Sequence, residues 1–154
     1  MKICILGAGA LGCAIGGVLT EAGNEVWLVN RDAQHVEVMN GVGLTMRTGG
    51  VDRVVKVHAA IHASGVDLSS GPVELAIVLV KSFHTREVIE SAMAIIADNT
   101  TVLSLQNGVG HEDVLAGVLG RASKNCRKAA IGCNCPMAWR SSCSRPRPTA
   151  WPRR

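Results

Sequence analysis

A chain of 154 residues with 47% apolar content is long enough for one domain with a sizeable core. No apolar run approaches the roughly 18 residues needed to cross a membrane, and Lys2 leads directly into a strand-like run with no leader pattern. These features exclude a membrane span and predict a soluble, cytoplasmic protein. The net charge of +4 averages two unlike parts: residues 1–120 hold all 12 acidic residues and seven basic ones, whereas residues 121–154 hold nine basic residues and no acid. Four of the six cysteines and four of the five prolines also lie in that last stretch. Such a break marks a separate tail or a segment not selected to fold with the rest.

In chain order, residues 2–6 (Lys-Ile-Cys-Ile-Leu) read as a strand buried on both faces. Gly7-Ala8-Gly9-Ala10-Leu11-Gly12 follows at once and opens a helix over about 10–22. Strand, G-x-G-x-x-G and helix in that order are the fingerprint of a dinucleotide-binding βαβ unit. Gly7 permits the tight turn, Gly9 lets a pyrophosphate approach the backbone, and Gly12 lets the helix pack closely. The pyrophosphate then rests on free N–H groups at the positive end of the helix. Gly16 and Gly17 weaken that helix by about 1 kcal/mol each, which predicts close packing against the sheet.

Glu25–Val29 is the second strand, followed by Asn30-Arg31-Asp32. NAD sites commonly place a carboxylate here for the ribose hydroxyls. Arg31 instead suits a ribose 2′-phosphate in charge and fork geometry, so NADP is expected over NAD. The plainer alternative makes Arg31 a surface charge and Asp32 the N-cap of a helix at about 33–39; the cap fits either cofactor.

Two β-rich runs, 43–48 and 51–57, flank Gly49-Gly50 and predict a hairpin or a distorted third strand. Residues 58–72 read as a turn-rich connector. His58 and His62 in it have no ligand partners at metal-site spacing, so no metal site is expected. Glu74–Val80 is the clearest internal strand, ending at Lys81, with a helix expected over about 85–97. A strand at 100–105 ends in Gln106-Asn107-Gly108, and a last helix covers about 111–119. Ligands of open α/β sheets bind beyond the carboxyl ends of the strands. Lys81 and Asn107 both fall there as candidate catalytic and cofactor-binding residues, against the alternative that each is an ordinary surface residue.

Residues 2–12 (Lys-Ile-Cys-Ile-Leu-Gly-Ala-Gly-Ala-Leu-Gly), Leu28-Val29-Asn30-Arg31, Val78-Leu79-Val80-Lys81 and Leu105-Gln106-Asn107-Gly108-Val109-Gly110, taken together, resemble the 2-dehydropantoate 2-reductase (ketopantoate reductase) family over about residues 1–120. The resemblance implies an α/β, Rossmann-type, doubly wound and mainly parallel sheet that binds NADPH. It implies reduction of ketopantoate to pantoate in pantothenate and coenzyme A biosynthesis, or of another 2-oxo acid. It assigns Gly7, Ala8, Gly9, Ala10, Leu11 and Gly12 to the pyrophosphate loop and Arg31 to the 2′-phosphate. Lys81 and Asn107 then face the cofactor, with Asn107 near the nicotinamide and substrate.

Family members continue into a helical domain carrying the general-acid lysine and a substrate-binding glutamate, and nothing after residue 120 resembles it. The chain is therefore expected to be a truncated, inactive form with that domain absent; a non-catalytic NADP-binding or redox-sensing module is the alternative. The basic, Cys/Pro/Arg-rich tail over 121–154 is expected to be non-native, out-of-frame or disordered sequence. A basic arm for nucleic acid and a metal knuckle at Cys133-x-Cys135 are its lesser readings. With the next strand missing, the strand at 100–105 is expected to be an exposed edge that Ala129–Cys133 covers only weakly.

Overall fold

The computed structural model describes residues 1–122 and 128–130. Six strands form one parallel sheet: β1 (Lys2–Leu6), β2 (Glu25–Val29), β5 (His58–Ala60), β6 (Leu75–Val78), β7 (Thr101–Ser104) and β8 (Lys128–Ala130), in the order β5-β2-β1-β6-β7-β8. A separate antiparallel pair, β3 (Leu44–Thr48) and β4 (Val51–Val55), stands between α2 (Ala33–Gly41) and β5. The other helices are α1 (Ala10–Glu21), α3 (Thr85–Ser91) and α4 (His111–Ala122). The strand order reverses beside β1, because the chain winds outward on one side through β2 and β5 and on the other through β6, β7 and β8. This is the doubly wound, Rossmann-type arrangement, and its crevice lies at the carboxyl ends of β1 and β6.

The alternation along β1 explains why the strand is apolar at every position from Ile3 to Leu6. Cys4 and Leu6 enter a core with Val78, Ile89 of α3 and Leu115 and Leu119 of α4. Ile3 and Ile5 enter a second core with Cys13 of α1, Val36 and Met39 of α2, and Leu44 and Val55 of the hairpin. A strand buried on both faces has no polar side. Burial pushes the Cys4 thiol up to about 12, so it packs as a small apolar group. The helix glycines act as expected: an added Cβ at Gly16 would lie 2.5 Å from Leu28 Cδ2, and one at Gly17 would strike Met46 of the hairpin.

The hairpin follows from its turn. Gly49 and Gly50 have φ of +60° and +82°, and a two-residue turn of this hand needs positive φ at both positions. Three expectations are corrected. The connector after residue 57 contains β5, whose three residues pair in parallel with Trp27–Val29. The helix expected over 85–97 ends at Ser91; Ala92 N donates back to Ile89 O, and a 3₁₀ turn at Met93–Ile95 follows. The edge expected at 100–105 is occupied, since Lys128–Ala130 pairs in parallel with Val102–Ser104. The remainder of the tail, including Cys133, Cys135, Trp139 and Trp151, lies outside the described residues.

The amino ends of β1 and β2 are joined by a buried cation. Lys2 Nζ donates to Ser70 Oγ (2.8 Å) and Asp67 O and pairs with Glu25 Oε1 at 3.2 Å. The Trp27 indole N–H, the Ser70 hydroxyl and the Lys2 ammonium hold the Glu25 carboxyl below its ordinary value of 4.5. A carboxyl depressed in the folded state contributes stability above its unfolded value and loses it as pH falls through the folded one. The midpoint of thermal unfolding is therefore expected to drop on acidification below about pH 4.5, and Glu25→Gln to flatten that dependence.

Candidate functional site

Three strand ends meet at the crevice: β1 with the glycine loop, β2 with Asn30-Arg31-Asp32, and β6 with Lys81. The loop from β7, carrying Asn107, lies next to the last of these. The glycine loop is fixed from both sides. Gly7 N and Ala8 N both donate to Val29 O (3.2 and 2.9 Å), and Asn30 Nδ2 donates to Ala8 O at 2.8 Å. Gly7 has φ of +105°, and a Cβ there would stand 2.9 Å from the backbone of Leu79 and Val80. A Cβ at Gly12 would stand 2.5 Å from Gly7 O. Both positions exclude a side chain.

Gly9 differs, because nothing lies within 4 Å of where its Cβ would be. Its missing side chain leaves open space directly over the start of α1. That helix has no side-chain cap and no acidic residue in its first turn. The first intrahelical bond runs from Cys13 N to Gly9 O (2.8 Å), so the amides of Ala10, Leu11 and Gly12 precede the ladder. Positive helix end, free amides and an open approach together form an anion cradle. Ala8 contributes shape only, since it is buried and its N–H and C=O are both committed.

At the end of β2, Asp32 is engaged by the helix that follows it. Its Oδ1 accepts from Gln34 N (3.0 Å) and His35 N (3.2 Å), capping α2. Asn30 Oδ1 accepts from Asp32 N at 3.0 Å, which completes the turn. Arg31 is exposed, and Nη2 lies 3.4 Å from His84 Nε2 in the loop after β6. The Arg31 guanidinium thus stands exposed beside a carboxylate engaged in capping α2.

Lys81 and Asn107 are both exposed on the loops that follow β6 and β7. A buried amide ties these loops together. Gln106 Nε2 donates to Val80 O (2.6 Å) and Thr85 Oγ1 (2.8 Å), while Gln106 Oε1 accepts from Ser104 Oγ (3.0 Å). The His111 ring closes the second loop, with Nε2 3.0 Å from Asn107 O. Each loop also exposes an apolar side chain at the same edge of the sheet: Leu11 (58%), Phe83 (74%) and Val109 (99%).

Sequence reasoning missed Asn30, His84, Gln106 and His111. Two of them adjoin named residues, but their partners lie 22 to 53 positions away or across a turn. A groove of about 350 Å³ around Lys2, Glu25 and Glu74 lies at the opposite end of the strands and is walled by the ion pair described above. Among the described residues, no group of three or more His, Cys, Asp or Glu is placed to hold a metal ion, and no helix is long and apolar enough to cross a membrane.

Comparison with known proteins gives concordant results. The family described as ketopantoate reductase PanE/ApbA matches residues 3–135, beyond the residue-120 limit expected from the sequence. A 2-dehydropantoate 2-reductase of Pyrococcus abyssi is 40% identical over 122 residues, which cover 79% of this chain and 38% of that protein. The PanE/ApbA family ketopantoate reductase of Ralstonia eutropha superposes with a TM-score of 0.71 at 35% identity, over 84% of this chain and 40% of that one. D-mandelate dehydrogenase, solved with NADH and anilino(oxo)acetate, superposes with a TM-score of 0.69 at 34% identity, over 77% of this chain and 37% of that one. The chain thus spans about two fifths of the length of these relatives.

Proposed function

The chain belongs to the ketopantoate reductase PanE/ApbA family, and from that premise we propose that residues 1–120 are the NADP-binding part of a reductase acting on ketopantoate or a similar 2-oxo acid. The cofactor supplies a hydride to the 2-oxo carbon when bound. In this reading the amides of Ala10, Leu11 and Gly12 hold the diphosphate, and Gly9 leaves room for it. Arg31 pairs with the 2′-phosphate, and Lys81 and Asn107 orient the cofactor and the substrate from the ends of β6 and β7. The exposed Leu11, Phe83 and Val109 supply apolar surface around the crevice.

The choice of NADP over NAD is carried by Asp32. The one carboxylate in the loop after β2 is engaged by the amides of Gln34 and His35, and an exposed arginine stands beside it, within reach of His84. A carboxylate aimed at the ribose would repel a 2′-phosphate; a guanidinium matches it in a two-point contact. Arg31→Ala is expected to weaken NADP+ binding by about 10- to 100-fold, the range of a charge-assisted pair, and to leave NAD+ binding within about twofold. Calorimetric titration of the two nucleotides measures both. A second reading, an NADH-dependent 2-hydroxy acid dehydrogenase, draws on the relative solved with NADH, and equal losses for both nucleotides would favour it.

Hydride transfer also needs a proton donor in a water-excluded site. The residues assigned above bind and orient the cofactor, and none of them is assigned as that donor. NADPH oxidation in the presence of ketopantoate tests this: sustained turnover would show that the chain carries its own proton donor.

A further inference from the structure

We infer that His84 is a second recognition residue for the ribose 2′-phosphate, meeting it from the β6 side of the crevice while Arg31 meets it from the β2 side. This rests on the NADP reading above and adds a residue from another strand end. β1 lies between β2 and β6 in the sheet, so the approach of Arg31 Nη2 to His84 Nε2 (3.4 Å) spans the carboxyl end of β1, above which the glycine loop begins. The other ring nitrogen, Nδ1, lies 3.1 Å from Glu87 Oε2. A carboxylate only accepts, so the proton of the neutral ring sits on Nδ1 and Nε2 presents a lone pair to the guanidinium.

That arrangement holds Arg31 in place and has one further state. A phosphate dianion set against Arg31 leaves Nε2 facing an acceptor. Taking a proton from solvent turns Nε2 into a donor, and Glu87 stabilises the resulting imidazolium from behind. Other charged groups lie nearby. Asp32, from the loop after β2, is bound to the amides of α2. On the segment of His84 itself, Arg86 is paired with Glu90 (3.7 Å), Glu87 is the partner already named, and Lys81 begins the turn. The Phe83 ring, 4.5 Å from the imidazole, covers one side of it. Binding of the 2′-phosphate is thereby coupled to proton uptake at Nε2, which the charged phosphate beside it favours.

The test is calorimetric titration of the full chain and of His84→Gln and His84→Lys with NADP+ and with NAD+, at about pH 6 and about pH 8. In the unaltered chain the NADP+/NAD+ affinity ratio is expected to rise about tenfold from the higher to the lower pH. His84→Gln is expected to have a smaller ratio that does not rise. His84→Lys, with a permanent cation, is expected to restore a high ratio at both. NAD+ affinity should be the same in all three. A ratio in His84→Gln with the same size and pH trend as in the unaltered chain overturns the role of His84 and leaves Arg31 standing. Equal affinity of the unaltered chain for both nucleotides at both pH values overturns the NADP reading and this inference together.

Discussion

Gly7→Ala is expected to lower the unfolding free energy by about 3–5 kcal/mol, whereas Gly9→Ala is expected to fold normally and lose at least about tenfold in dinucleotide affinity. The two glycines sit two residues apart in one loop and separate stability from binding. At Gly7 the backbone has φ of +105°, and a Cβ would stand 2.9 Å from main-chain atoms of Leu79 and Val80. The segment that would have to yield is the continuation of β6, held by Leu79 N donating to Leu6 O at 2.8 Å. No rotamer change relieves a backbone clash, so the crevice between β1 and β6 must open. At Gly9 the backbone is extended, with φ of −76°, and the space is empty. Alanine is a poorer N-cap than glycine, by a few tenths to about 1 kcal/mol, and its methyl group stands where the diphosphate must come close to the backbone. Thermal unfolding and nucleotide titration on both variants check this. Similar stability losses, or a Gly9→Ala protein with full affinity, would contradict it.

Gln106→Leu is expected to cost about 2–4 kcal/mol and to weaken cofactor binding together with stability. Leucine fills the volume but leaves the buried Ser104 hydroxyl and Thr85 Oγ1 without their amide partner, and the half-buried Val80 O without its donor. Unsatisfied buried groups carry their full desolvation cost. The same bonds fix the loop of Lys81 to the loop of Asn107, so their loss frees both strand ends at once. Gln106→Glu separates charge from shape: a carboxylate there faces the Val80 carbonyl and is expected to be more damaging at neutral pH than in mild acid, where it is protonated. Chemical denaturation of both variants at two pH values reads this out. A Gln106→Glu protein as stable as the unaltered one at neutral pH would show that the amide donates nothing the fold needs.

The parts of the fold legible in the sequence are those where one residue type settles a local question. Apolar residues at every position from Ile3 to Leu6 require burial on both faces, and Gly49-Gly50 takes at low cost the positive φ that a two-residue hairpin turn favours. Cooperation between distant segments was not legible. β5 is three residues with no strand signature, and it exists because β2 offers it an open edge. The composition break at residue 121 suggested that structure stops there, yet the backbone of Lys128–Ala130 extends the sheet, since a parallel edge accepts almost any short extended segment. The site divides in the same way. Gly7 to Gly12, Arg31, Lys81 and Asn107 each announce themselves by position after a strand. Asn30, Gln106 and His111 act by holding those residues, through bonds whose partners only the fold supplies. Ala8 illustrates the converse: it lies inside the motif and gives it shape, but its amide is already taken by Val29.

In the proposed complex NADPH lays its diphosphate along the start of α1 and its 2′-phosphate beside Arg31. Fluorescence titration of the 154-residue chain with NADPH and with NADH tests it most directly. Saturable binding of NADPH, at least about tenfold tighter than NADH, is the predicted result. No saturable signal, or equal affinity for the two nucleotides, would contradict it.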